Sequence, residues 1–137
     1  MHKTALITGT IFAGVAVALG AFGAHGLQKI TSDEKIIQGF KTAVEYQLWH
    51  ALALIITGIL AERFDKVLLK WATRCFIAGI IFFSGSLYLL SFLKIQGSSL
   101  VKIAGPLTPL GGLLFIVGWV IVLVALLSAR NTPEKKR

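Results

Sequence analysis

Charge is what this 137-residue chain has least of: 15% of its residues are Asp, Glu, Lys or Arg, where a soluble domain has about a quarter. Acidic residues are the scarcest, 6 against 14 basic ones, and the formal net charge is +8. The single cysteine, Cys75, excludes an internal disulfide framework and any cysteine-built metal site. It falls early in an apolar run, where a small buried residue is expected. There is no G-x-S-x-G elbow, zinc-ligand spacing or phosphate-binding glycine loop, so no catalytic motif and no metal site are expected. No long apolar stretch carries a deep Asp or Glu that would relay protons. What is present is apolar: 55% of residues are hydrophobic and the mean hydropathy is +0.80.

The apolar residues fall in four runs, each about as long as a bilayer-spanning helix. They cover about Thr4 to Ala24, Tyr46 to Ala61, Trp71 to Leu93 and Leu107 to Ala129; Arg74 sits near the start of the third, close enough to a boundary to snorkel. Four spans take roughly 80 residues, which leaves loops and tails but no separate soluble catalytic domain. The expected fold is therefore all-α: one polytopic domain over residues 1–130, built as an antiparallel bundle of four transmembrane helices, followed by a basic disordered tail at 131–137. A signal peptide competes for the first run, with Lys3 as its positive start and Ala21 to Gly23 resembling a cleavage site. That uncharged run exceeds a usual h-region of about 7–15 residues, and its glycines share a helical face, so retention is favoured.

The basic residues punctuate the apolar segments and form no patch with interleaved aromatics. That pattern serves topology and anionic headgroups, not nucleic acid. One side of the bundle carries nine Lys and Arg: Lys3, Arg63, Lys66, Lys70, Arg74, Arg130, Lys135, Lys136 and Arg137. The other carries five: Lys29, Lys35, Lys41, Lys94 and Lys102. The positive-inside rule then places both termini in the cytoplasm of a cell whose inner membrane holds the chain. Between the first two spans, Thr31 and Glu34 have capping-box spacing. They predict a helix capped by Thr31, amphipathic over Ile36, Ile37 and Phe40, that runs on into span two.

Small residues recur on single helical faces. Gly9, Ala13, Ala16, Gly20 and Gly23 do so in span one, Ala72, Cys75, Gly79 and Ser86 in span three, and Gly111, Gly118, Ala125 and Ala129 in span four. Such seams let membrane helices approach closely. Span two has a polar stripe instead, with Gln47, His50 and Thr57 opposite Leu48, Leu52, Ile55, Ile56 and Ile59. Antiparallel topology brings His25, Tyr46, Gln47, His50, Ser84, Ser86, Tyr88 and Thr108 to the non-cytoplasmic half, as a candidate polar pocket. Glu45, on the lipid side, is expected in the headgroup layer. A buried ionisable group in a membrane is a candidate functional site, and His50 is the foremost. The favoured alternative is that Gln47 and His50 bond to facing Ser or Thr groups and fix helix register. His25 reads as an interfacial or capping residue beside glycines that permit a tight turn. Pro106 and Pro109 either start span four or, with Gly111 and Gly112, form a re-entrant segment.

Four segments carry a resemblance. In order, they are Gly20-Ala21-Phe22-Gly23-Ala24-His25-Gly26-Leu27, Tyr46-Gln47-Leu48-Trp49-His50-Ala51-Leu52-Ala53-Leu54, Phe83-Ser84-Gly85-Ser86-Leu87-Tyr88, and Gly105-Pro106-Leu107-Thr108-Pro109-Leu110-Gly111-Gly112. They resemble the signatures of the small YgdD-like membrane proteins, catalogued as domain of unknown function 423, with eukaryotic relatives called transmembrane protein 256. The resemblance implies a four-helix integral membrane protein and implies no reaction. The leading functional reading is a membrane protein that binds a lipid or small molecule in the polar pocket, surrounded by lipid and open to self-association or a membrane-protein partner. A small transporter or channel subunit and an accessory subunit are alternatives. A haem carrier using His25 and His50, or a quinone carrier, ranks behind them, and no cofactor is assigned.

Overall fold

A bilayer offers the backbone no hydrogen-bonding partner of its own, so each apolar run must satisfy its N–H and C=O groups internally, as a helix. The computed structural model describes residues 2–129. They form α1 (His2–His25), α2 (Leu27–Ile30), α3 (Glu34–Leu60), α4 (Lys66–Gly79), a π-helical segment (Ile80–Gly85), α5 (Ser86–Ile95), α6 (Val101–Ala104) and α7 (Leu107–Ala129). Among the described residues there is no strand. Four stretches are long and apolar enough to cross a membrane: Lys3–Ile30, Glu34–Leu60, Lys66–Ile95 and Leu107–Ser128. The all-α, four-span architecture expected from the sequence is the observed one; the tail at 131–137 lies outside the described residues.

The amphipathic segment before span two runs on into it, as expected, in one 27-residue helix, α3, about 40 Å long at 1.5 Å per residue. Its N-cap is Asp33, not Thr31. The Asp33 carboxylate accepts from the backbone N–H groups of Lys35 and Ile36, while the Thr31 hydroxyl accepts from Asp33 N–H. Glu34 is thus the first helical residue, too early to close a capping box. Asp65 caps α4 in the same way, accepting from Val67 and Leu68. Gly26 breaks the helix between α1 and α2 in a turn that stays right-handed, at φ −82°, and a Cβ there would strike the Phe22 ring. Thr31–Asp33 then link α2 to α3. The left-handed turn comes instead at Gly97 (φ 65°), where Gly97 N–H donates to Lys94 C=O and Ser98 N–H to Leu93 C=O, the Schellman closure of α5. Pro109 lies in the first turn of α7, where its missing N–H leaves no gap, and α7 continues through Gly111 and Gly112 without re-entering.

Helices α3 and α4 form a central pair. Helix α1 packs along α3, and α7 packs along α4 and the π segment. Glycine makes both contacts close. A Cβ on Gly9 would lie 2.8 Å from the Ala51 carbonyl oxygen, and one on Gly23 would lie 3.0 Å from the Phe40 ring. Across the other contact, Phe115 sits against Gly79, Phe76 against Gly118, and the Phe83 backbone against Gly111. These are knobs that only a missing side chain accommodates. Phe76, Leu54, Leu69 and Val122 fill the core between α3, α4 and α7. The outer helices show lipid a wide apolar face, as Ile7, Ile11 and Val17 do on α1 and Ile116, Val120 and Leu123 on α7.

Candidate functional site

Side-chain hydrogen bonds pair some polar groups of different helices in this bundle. Gln47, 3% exposed on α3, donates from Nε2 to the Phe12 carbonyl of α1 (2.9 Å) and accepts at Oε1 from the Tyr88 hydroxyl of α5 (3.0 Å). One amide thus ties three helices. The Ser86 hydroxyl donates to the Phe83 carbonyl at the end of the π segment (2.9 Å). It therefore accepts from Thr108 of α7, 2.6 Å away. Nearer the α3–α4 turn, the Thr57 and Thr73 hydroxyls lie 3.4 Å apart, each donating to its own helix backbone. Ser84 has no exposed surface and its Oγ has no partner among the described residues.

His50 is bonded at both nitrogens. The Trp119 indole N–H of α7 donates to Nε2 (3.2 Å), and Nδ1 lies 2.8 Å from the Tyr46 carbonyl. An accepting Nε2 and a carbonyl opposite Nδ1 assign the neutral tautomer with its proton on Nδ1. The ring stacks on Phe115 with centroids 3.4 Å apart and planes 9° from parallel. No lone pair is left to reach a metal or a haem iron. His25, exposed at the last turn of α1, does not face it: nearby Gly23 packs on Phe40, and His50 lies a further 10 residues, about 15 Å, down α3.

The eight residues of the expected polar pocket therefore do not share one cavity. Gln47 with Tyr88, and Ser86 with Thr108, are joined as pairs; Ser84 is enclosed alone; His25 stands apart. Tyr46 and His50 meet at a different feature, a cleft of about 620 Å³ between α3 and α7 that opens sideways, away from the bundle axis. Here α3 and α7 are bridged by side chains, not packed backbone to backbone. Phe83, Phe115 and His50 make the floor, Tyr46 one wall, and Leu113, Ile116 and Trp119 the other. Tyr46 stacks on Phe83 (4.5 Å, 29°) and remains 42% exposed. Trp119 meets Phe76 edge-on and is 46% exposed. The α7 wall runs from Pro109 to Trp119, about 15 Å of helix.

Sequence reasoning missed Trp119, Phe83 and Phe115. One signal pointed to Trp119: an indole N–H in an apolar span needs an acceptor, and His50 is the ionisable side chain of span two. Of the small residues placed on packing faces, Gly9, Ala16, Gly23, Ala72, Gly79, Ser86, Gly111, Gly118 and Ala125 are buried, and Ala13, Gly20 and Cys75 are half-buried.

The fold and the cleft define a small polytopic membrane protein, a four-helix bundle with one laterally open aromatic cleft. Residues 19–112 match the family described as "Protein of unknown function (DUF423)", and the chain belongs to that family. It is 43% identical over 123 residues to a UPF0382 membrane protein of Staphylococcus aureus, covering 90% of this chain and 94% of the relative. It is 43% identical over 124 residues to the UPF0382 membrane protein YwdK of Bacillus subtilis, covering 90% and 95%. A UPF0382 membrane protein of Schizosaccharomyces pombe is 39% identical over 122 residues, covering 89% and 97%. No solved structure matches.

Proposed function

We propose that this membrane protein binds a bilayer-dissolved small molecule or lipid in the cleft between α3 and α7. The observation that carries this reading is the cleft itself: about 620 Å³, within the roughly 300–1,000 Å³ of ordinary ligand sites. It is walled by rings and open toward lipid, so a ligand reaches it without crossing water. The excess of Lys and Arg at the end with the α3–α4 turn supports an inner-membrane orientation with cytoplasmic termini. The Pro109 end of the cleft then faces the outer leaflet.

Gly112 provides the test. A Cβ there meets nothing closer than the Phe83 ring at 3.7 Å, and Gly112 lies on the cleft lining, so Gly112→Leu is expected to fold and to narrow the cleft. Native mass spectrometry from mild detergent is expected to show a specific adduct on the parent protein that this variant lacks. A parent protein free of adducts, or an adduct that Gly112→Leu retains fully, would falsify the proposal. The same spectra address a second reading, self-association or an accessory role. It is favoured by the outward face of α1, where Thr10, Gly14 and Ala18 are exposed four residues apart and a Cβ on Gly14 meets no neighbour.

A further inference from the structure

We infer that the ligand is an uncharged, flat-ringed molecule with a hydrocarbon tail, of the prenylated quinone or quinol class, and that the Tyr46 hydroxyl binds its ring oxygen. This inference rests on the proposed cleft and specifies what occupies it. No charged residue lines the cleft, so a phosphate or carboxylate head would enter without a counter-charge. Rings dominate the floor and one wall, and ring faces prefer offset or edge contacts with another ring. Saturated acyl chains gain nothing comparable from them. The His50 nitrogens already serve Trp119 and the Tyr46 carbonyl. Tyr46 contributes the one hydroxyl on the lining, and no described side chain or carbonyl pairs with it. A single donor–acceptor group on an otherwise apolar lining matches a ring carbonyl or ring hydroxyl. Below the ring, Ile116, Val120 and Leu123 extend an exposed apolar track along α7, on which a tail would lie.

Trp119 is the built-in reporter, because quinones quench indole fluorescence on contact. The full chain in lipid nanodiscs would carry Trp49→Phe and Trp71→Phe to isolate Trp119. A Trp49→Phe/Trp119→Phe protein would keep only Trp71, which does not line the cleft, as a measure of simple partitioning. Decylubiquinone and menaquinone-4 are the probes, with phosphatidylglycerol carrying brominated acyl chains as the lipid competitor. The expected result is saturable quenching of Trp119 near one quinone per chain, with only linear, partition-level quenching of Trp71. Tyr46→Phe should weaken the binding about fivefold, the effect of one lost hydrogen bond. Equal affinity in Tyr46→Phe overturns the assignment of that hydroxyl. Saturable quenching by the brominated lipid that quinone does not relieve overturns the ligand class and leaves the cleft as a lipid site. Trp119 quenched no more than Trp71 by either probe overturns the cleft as well.

Discussion

Gly111 and Gly112 are neighbours in one helix, yet the same substitution at each should have different consequences. A Cβ on Gly111 would overlap the backbone nitrogen, Cα and Cβ of Phe83; one on Gly112 would lie 3.7 Å from the Phe83 ring, an ordinary contact. Carbon atoms rest at about 3.5–4.0 Å, so Gly111→Ala must push α7 and the π segment apart by roughly 1 Å. A side chain could rotate away, but a helical backbone cannot, and overpacking of this kind costs about 1–3 kcal/mol. Both variants gain the preference of Ala over Gly in a helix, about 0.8–1.0 kcal/mol, and this cancels in the comparison. Gly112→Ala should therefore be as stable as the parent or somewhat more so. Gly111→Ala should fall below it by about 1–3 kcal/mol, which is roughly 5- to 150-fold in the unfolding constant. Equilibrium unfolding in mixed micelles of dodecyl maltoside and SDS, followed by circular dichroism, measures the difference. Equal stability of the two variants would refute the close backbone contact between α7 and the π segment.

Two further perturbations address the polar ties and the helix phase. A double-mutant cycle of Gln47→Leu and Tyr88→Phe should give a coupling of about 0.6 kcal/mol and at most about 1.7, the range of interhelical hydrogen bonds in bilayers; in the same unfolding assay, a coupling of zero would remove the Gln47–Tyr88 bond. A π turn holds one residue more than an α turn. Deleting exposed Phe82 should therefore convert the segment to α-helix and leave α5 in phase with α7. Disulfide trapping between cysteines placed at Ser86 and Thr108 is expected to survive this deletion, and its loss would refute the one-residue surplus in the π segment.

The spans were legible because a bilayer imposes one solution on an uncharged run of about 20 residues. Their ends were less so. Lys35, Lys41 and Glu45 mark no boundary of α3, since exposed side chains on a continuous helix carry charge without ending it. The glycine seams were legible too: a repeat at three and four residues is a helix face whatever packs on it. Partner identity was not. Gln47 and His50 were expected to face Ser or Thr, but the nearest donors and acceptors are a Tyr, a Trp and two backbone carbonyls. The cleft was least legible of all, because Phe83, Phe115 and Trp119 look like any other apolar residues of their spans. What separates them is the three-dimensional gap between α3 and α7, and the π segment that places Phe83 has no signature in residue type.

The pairing of α1 with α3, and of α4 with α7, bears on how the protein is made. Each pair is a helical hairpin consecutive in the chain, with its own glycine seam. A ribosome at the membrane delivers the first hairpin complete before the second begins, so Gly9 and Gly23 can dock on α3 while α7 is still untranslated. The Tyr88–Gln47 and Trp119–His50 bonds are made afterwards, between two preassembled halves. The cleft is then absent from either hairpin alone and arises at their junction, as the last part of the molecule to form.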